Sequence, residues 1–223
     1  MAGDPGTRVV LFDLDGTLVD SAPDLGGAAN ELLRLHGRPE RRLDEFRPMA
    51  GSGARGMLRV GFGIQPGDPD YEPLRAAFIE LYAQRLLHST RVFEAVGPVL
   101  DALDGAGVRW GIVTNKAMRL AEPLVHGLGL AARAGVLIGG DTTPHAKPHP
   151  APLLEAARRM GHEAARCVYV GDDLRDMQAG RAAGMATVAA AWGYLGLGAQ
   201  VHEWGADHVS AEPAGLLHWL GLP

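Results

Sequence analysis

The sequence is poor in cysteine, in basic runs and in long apolar stretches. Its one cysteine, Cys167, has no partner for an internal disulfide and sits in an apolar run, where it reads as a small buried hydrophobe. That usage suits a reducing compartment. Acidic residues outnumber basic ones, the net charge is −5, and no sustained basic block is present, so a nucleic-acid partner has no electrostatic support. No apolar stretch is long enough to cross a bilayer. The opening MAGDPGT lacks the charged and apolar regions of a signal peptide. Internal repeats and low-complexity tracts are missing as well. The expectation is a cytoplasmic protein with neither nucleic acid nor membrane as partner, monomeric or homodimeric.

What is there has ordinary globular proportions: 223 residues, 47% hydrophobic and 21% charged. That length fits one large domain or two small ones. The most informative stretch is RVVLFDLDGTLVDS, residues 8–21. Val9, Val10, Leu11 and Phe12 read as a short strand buried on both faces, and the Asp-Gly that follows is a turn signal. Asp13 and Asp15 end that strand two residues apart. Side chains at that spacing point the same way, and two like charges so placed repel unless water, a shared proton or a cation intervenes.

After residue 90 the chain alternates between strand-like and helix-like runs. Val96–Gly105 reads as a helix, 108–115 as a strand, Ala117–Leu128 as a helix bent or started late by Pro123, and 135–141 as a strand. Pro150–Gly161 reads as a helix, 166–173 as a strand, Leu174–Gly184 as a helix and 186–193 as a strand. Such alternation predicts a doubly wound α/β fold, a parallel sheet with helices on both faces. Residues 22–90 differ. DLGGAANELLRLHG (24–37) and DYEPLRAAFIELYAQRLL (70–87) have helical spacing, with Asp70 as a candidate N-cap and Tyr71, Leu74, Phe78, Leu81 and Tyr82 as a core stripe. The pattern predicts an all-helical segment over 21–91 inserted into an α/β unit made of 1–20 plus 92–223.

Polar residues close the predicted strands: Asp13 and Asp15 the first, Thr114 and Asn115 the second, Asp172 and Asp173 a later one, with Asp176 just beyond. Lys147 lies in the loop TTPHAKPHP before a helix. Ligands of open α/β sheets bind beyond the carboxyl ends of the strands, so these remote residues are expected at one rim. A hard divalent cation, commonly Mg²⁺, suits such a set of carboxylates. A lysine and a threonine hydroxyl suit phosphate oxygens. A carboxylate can then act as nucleophile and a second as general acid and base.

DLDGTLVDS, VTNK, HAKPHP and GDDLRDMQAGRAAG resemble, in order, the four motifs of the haloacid dehalogenase-like phosphatases, and the helical insertion is similar to that family's cap. Within the family the chain resembles the bacterial phosphoglycolate phosphatases. GSGARGM and WGAD also resemble the phosphatases acting on N-acetylmuramic acid 6-phosphate. The resemblance implies a phosphomonoester hydrolase working through an aspartyl-phosphate on a small phosphorylated metabolite. It points to 2-phosphoglycolate first, a phosphorylated amino sugar second, and other sugar phosphates behind them. It implies Asp13 as nucleophile, Asp15 as general acid/base, and Thr114 and Lys147 as phosphate ligands, with Asn115 beside them. Mg²⁺ would be held by Asp13, the Asp15 backbone carbonyl and Asp172. Asp176 matches the second acid of the last motif, which orients Lys147 or a metal-bound water. Asp173 stands where relatives often carry serine, which leaves open a metal contact or a helix N-cap.

Each signal has a plain reading beside the functional one. Asp-x-Asp alone is usually a solvated turn, but Asp-x-Asp-Gly-Thr directly after an apolar strand is far more specific. His145 and His149 flank Lys147 without a zinc-like spacing and read as loop residues, His149 as a cap for the helix near Pro150. GSGARG (51–56) matches the spacing of a dinucleotide loop, yet no strand precedes it; it reads as a flexible turn between cap helices. If that turn, with Gly51, faces the site, Arg55 offers a fork to a substrate carboxylate or sugar oxygen; otherwise it is a plain surface arginine. Two rivals come from other classes. A response-regulator receiver carries its acidic pair early and has no helical insertion, whereas the double aspartate here follows the lysine. A non-catalytic binding relative would have lost Asp13 or Asp15, and neither is lost.

Overall fold

The structure, a computed structural model, describes residues 9–222. The heptapeptide read above for targeting features lies outside the described residues. Strand β1 (Val9–Phe12) is fully buried. Its side chains alternate between two apolar clusters. Val10 and Phe12 pack with α5 (Val96–Gly105), α6 (Met118–Gly127) and α9 (Ala214–Leu220) on one face. Val9 and Leu11 pack with α7 (Ala151–Met160) and α8 (Leu174–Ala182) on the other. Helices on both faces leave β1 no solvated side, hence its unbroken apolar run.

The short strands β2 (Val19–Asp20) and β3 (Arg91–Val92) pair with each other, antiparallel, where the chain leaves and re-enters the α/β layers. The main sheet contains β1, β4 (Arg109–Val113), β5 (Leu137–Ile138), β6 (Cys167–Gly171), β7 (Ala186–Ala190) and β8 (His208–Ser210). Their order is β5-β4-β1-β6-β7-β8, all parallel. Successive crossovers run one way from β1 through β4 and β5, then the other way from β6. The direction reverses between β1 and β6, and a crevice opens beyond the carboxyl ends of strands at such a point.

Four helices lie between β2 and β3: α1 (Ala22–Leu35), α2 (Leu43–Phe46), α3 (Gly53–Phe62) and α4 (Tyr71–Ala83). Together they bury their own cluster, built on Leu25, Leu32, Leu33, Phe46, Met57, Phe78 and Tyr82 and joined by Leu120 and Tyr194 from the α/β layers. Asp24, fully buried near the start of α1, accepts hydrogen bonds from the Ser89 and Thr90 amides and the Thr90 hydroxyl. That ties the outgoing chain to the returning one.

Four expectations are corrected. GSGARG is not a loose turn. Residues Arg47–Ser52 wind into a 3-10 helix, and Gly53, at φ 55°, joins it to α3. Packing of Met57 and Leu58, with Gly61 lying against Leu33, outweighs the poor helix propensity of the glycines. Asp70 stands at the N-cap position of α4 with helical dihedrals and makes no capping bond. The strand expected over 186–193 ends at Ala190, and Pro123 lies inside α6 rather than at its start. The short β8 and α9 carry no pattern long enough to be anticipated.

Candidate active site

Strands β1 and β6 run in register, Phe12 beside Val170, and the Asp13 amide donates to the Val170 carbonyl at 2.9 Å. Asp13 and Asp172 therefore leave the sheet next to each other. Asp176 joins them from the first turn of α8, and the three carboxylates offer oxygens all within 4.8 Å of one another. Asp172 is held from two sides: the Thr17 hydroxyl donates to Oδ1 at 3.0 Å and the Tyr194 amide to Oδ2 at 2.8 Å. The backbone approaches closely as well. Gly16 has φ +87°, and a Cβ there would collide with the Asp172 carboxylate; one on Gly171 would collide with Asp176.

Lys147 supplies the facing cation. Its side chain is 2% exposed, with Nζ 2.9 Å from Asp13 Oδ1 and 2.7 Å from Asp176 Oδ1. It also donates to the Val113 carbonyl at 3.1 Å and to the Tyr169 hydroxyl at 2.6 Å. Burial alone would lower its pKa, but Asp13 and Asp176 outweigh it and hold the ammonium charged. The Asn115 side chain accepts from the Lys147 amide and donates to its carbonyl, both at 2.9 Å, fixing that loop to the end of β4.

One ammonium does not balance three buried carboxylates. Burial, then the charges of Asp13 and Asp176, push Asp172 well above the usual carboxylate range. Burial and the neighbouring carboxylates lift Asp176 to about 6 against the pull of Lys147. Asp13 Oδ1 is buried without a hydrogen-bond donor aligned on it, although Lys147 is in ion contact. Clustered carboxylate oxygens, an oxygen lacking a hydrogen bond and a charge deficit match a hard divalent cation.

Asp15 lines the same cavity as Asp13 but has its own partners. It accepts from the Ser21 hydroxyl at 2.5 Å and pairs with Lys116 Nζ at 3.0 Å. Lys116 in turn donates to the hydroxyl of Tyr82 on α4 at 2.8 Å. Burial opposes its charge, yet Asp15 and Tyr82 keep its pKa raised. Thr114 is buried at the end of β4, its oxygen accepting from the Lys116 amide at 3.2 Å. Asp173 caps α8, accepting the Arg175 amide at 2.9 Å, and pairs with the Arg175 guanidinium. Arg175 also donates to the carbonyl of Gly51, linking α8 to the helical layer.

These groups floor a cavity of about 370 Å³. Leu25, Phe78, Ile79, Tyr82 and Leu120 form its apolar wall, and Gly51 and Arg55 also line it. Arg55 is exposed and has no ion-pair or hydrogen-bond partner among the described residues. His149 Nδ1 accepts the Ala151 amide at 3.1 Å at the start of α7, and its ring lies against that of His145.

Lys116, Tyr82, Tyr169, Thr17 and Tyr194 were not assigned a place in the site from the sequence, where Tyr82 read as core. For Lys116 a signal existed. Of the 21 basic residues only two are lysines, Lys116 and Lys147. A chain that uses arginine everywhere else keeps its two compact point charges for this crevice. The tyrosines had no such mark, because their hydroxyls arrive from other layers.

Residues 7–184 match the family model for haloacid dehalogenase-like hydrolases. The phosphoglycolate phosphatase of Xanthomonas campestris pv. campestris is 46% identical over 206 residues, covering 92% of this chain and 93% of that one. The N-acetylmuramic acid 6-phosphate phosphatase of Pseudomonas aeruginosa is 38% identical over 213 residues, covering 96% and 94%. The crystal structure of a predicted phosphoglycolate phosphatase from Haemophilus somnus superposes with a TM-score of 0.83 at 26% identity, covering 97% of this chain and 99% of that one.

Proposed function

The chain belongs to the haloacid dehalogenase-like hydrolases, and on that premise we propose that it is a Mg²⁺-dependent phosphomonoesterase acting through an aspartyl-phosphate, with 2-phosphoglycolate as its substrate. The observation that carries this reading is the convergence of Asp13, Asp172 and Asp176 on Lys147 at the reversal point of the sheet. Residues 21–91 act as a cap domain over a core of 1–20 and 92–223.

Asp13, Asp172 and the Asp15 backbone carbonyl would hold the cation, which neutralises phosphate charge when bound. Asp176 keeps Lys147 in place. The Lys147 ammonium and the Thr114 hydroxyl hold phosphate oxygens, and the loop clamped by Asn115 keeps Lys147 from swinging away. Asp13 attacks phosphorus while Asp15 gives a proton to the departing ester oxygen. Water then attacks the phosphorus of the acyl phosphate, Asp15 takes its proton, and phosphate leaves with Asp13 regenerated. Asp173, occupied as an N-cap and by Arg175, stays off the metal. The helical layer excludes water, and Arg55 supplies a further cation at the mouth.

A second reading, N-acetylmuramic acid 6-phosphate, draws support from the cavity. Its volume falls in the range of about 300–1,000 Å³ that suits drug-sized ligands, and its apolar wall fits more than a glycolate. Steady-state kinetics with Mg²⁺ on both compounds test the assignment. A kcat/KM for 2-phosphoglycolate at least tenfold above that for the sugar phosphate is expected, and the reverse order removes it.

A further inference from the structure

Lys116 holds Asp15, yet holding Asp15 and binding phosphate leave part of its donor capacity unused. It sits on the floor of the cavity, 7% exposed, between Asp15 at 3.0 Å and the Tyr82 hydroxyl at 2.8 Å, with Nζ 4.6 Å from the centre of the Tyr82 ring. An ammonium has three donors. Two are used by Asp15 and Tyr82, no third partner occurs among the described residues, and Lys116 lines the cavity.

We propose that Lys116 reads the leaving group and selects phosphomonoesters that carry a carboxylate on the carbon bearing the phosphoryl oxygen. This rests on the reading of Asp15 as the acid for the ester oxygen. Asp15 must come within hydrogen-bond reach of that oxygen, about 2.6–3.2 Å. With bonds of ~1.5 Å, a carboxylate on the adjoining carbon has an oxygen within roughly 3 Å of the ester oxygen. Nζ, 3.0 Å from Asp15, then lies within about 6 Å of the ester oxygen, a span that carboxylate can bridge. An acid group further out, such as a side arm on a sugar ring, lies beyond its reach and meets Arg55 at the mouth instead. Tyr82 fixes the ammonium from α4, so the selecting charge is in position only with the helical layer seated. An ammonium with little water access makes a charge-assisted bond that a surface lysine would not match.

The test compares 2-phosphoglycolate with 2-hydroxyethyl phosphate, which replaces the carboxylate by a neutral hydroxymethyl group. In the wild-type protein the first is expected to exceed the second in kcat/KM by about 10²-fold, as for a buried charge pair. Lys116→Met is expected to bring that ratio within about 3-fold of unity, even though both rates fall as Asp15 loses its partner. A ratio preserved in Lys116→Met while both rates fall overturns the proposal, since Lys116 then acts through Asp15 alone. So does a ratio lost in Arg55→Ala and kept in Lys116→Met. An experiment on the wild-type protein covers a variant that does not fold: glycolate is expected to inhibit p-nitrophenyl phosphate turnover at least tenfold better than ethylene glycol, and equal inhibition overturns the proposal. No turnover of p-nitrophenyl phosphate by the wild-type protein with Mg²⁺ counts instead against the phosphatase reading, whatever the role of Lys116.

Discussion

The hydroxyl of Thr17 donates to Asp172 Oδ1 at 3.0 Å, joining groups 155 residues apart in the chain. It locks the turn after β1 to the end of β6 and leaves the Asp172 carboxylate one orientation. Thr17→Val keeps the shape and removes the donor. The expected outcome is a 10–100-fold weaker Mg²⁺ requirement constant, the usual scale for a group that orients a metal ligand. Titration of activity against Mg²⁺ measures it; an unchanged midpoint would show that the Tyr194 amide suffices.

Asp13→Asn preserves volume and removes the carboxylate proposed as nucleophile. Multiple turnover of p-nitrophenyl phosphate is expected to fall by at least about 10³-fold, with the fold retained by circular dichroism. The wild-type protein should lose turnover in EDTA and regain it with Mg²⁺. Substantial turnover by Asp13→Asn would place the nucleophile elsewhere.

The acidic cluster also sets a pH dependence. Asp176 titrates at about 6 and Asp172 is raised as well, against about 3.9 in an unfolded chain. Within that window the metal-free folded protein holds more protons than the unfolded one, so its stability falls as pH rises through it. Below the window the carboxyls are neutral in both states and the penalty vanishes. A bound cation removes the repulsion only where the carboxylates are ionised. The gain in Tm on adding Mg²⁺ should therefore be small at pH 4, grow through pH 6 and level off by pH 8. Thermal melts in EDTA and in Mg²⁺ check this, and a gain that is constant with pH contradicts it.

Tyr194 is a structural post between the layers. Its hydroxyl accepts the amides of Ser21 and Ala22 at 2.8 and 3.0 Å and donates to Asp20 at 3.0 Å. Tyr194→Phe leaves two buried amides at the start of α1 without partners. A loss of about 2–3 kcal/mol is expected, seen as a drop in Tm of roughly 5–10 °C. A variant melting within a degree of wild type would mean that water replaces the hydroxyl.

The parts of the site that were legible in the sequence are those in which a residue's role is written next to a strand. Asp13 and Asp15 directly follow four apolar residues, Asp172 follows Cys167–Gly171, and Thr114 follows β4, so periodicity alone sets them at strand ends. α3 was obscured by its glycines, whose propensity opposes a helix that packing against its neighbours in the helical layer sustains. Asn115 reads as a ligand for substrate, but its amide group is taken up by the Lys147 backbone, a partner 32 residues further along the chain.

By itself, the sequence determined which strands are buried on both faces, that a helical segment interrupts them, and which carboxylates end them, because burial and strand period act over a few neighbouring residues. Only the tertiary structure decided that β6 lies directly beside β1 and so sets Asp172 next to Asp13, that Asp176 shares Lys147 with Asp13, and that Tyr82 and Lys116 set a second cation beside Asp15. Those pairings depend on strand order and on how the helical layer sits on the sheet. Both are settled by closing the whole core at once, and local spacing carries no record of them.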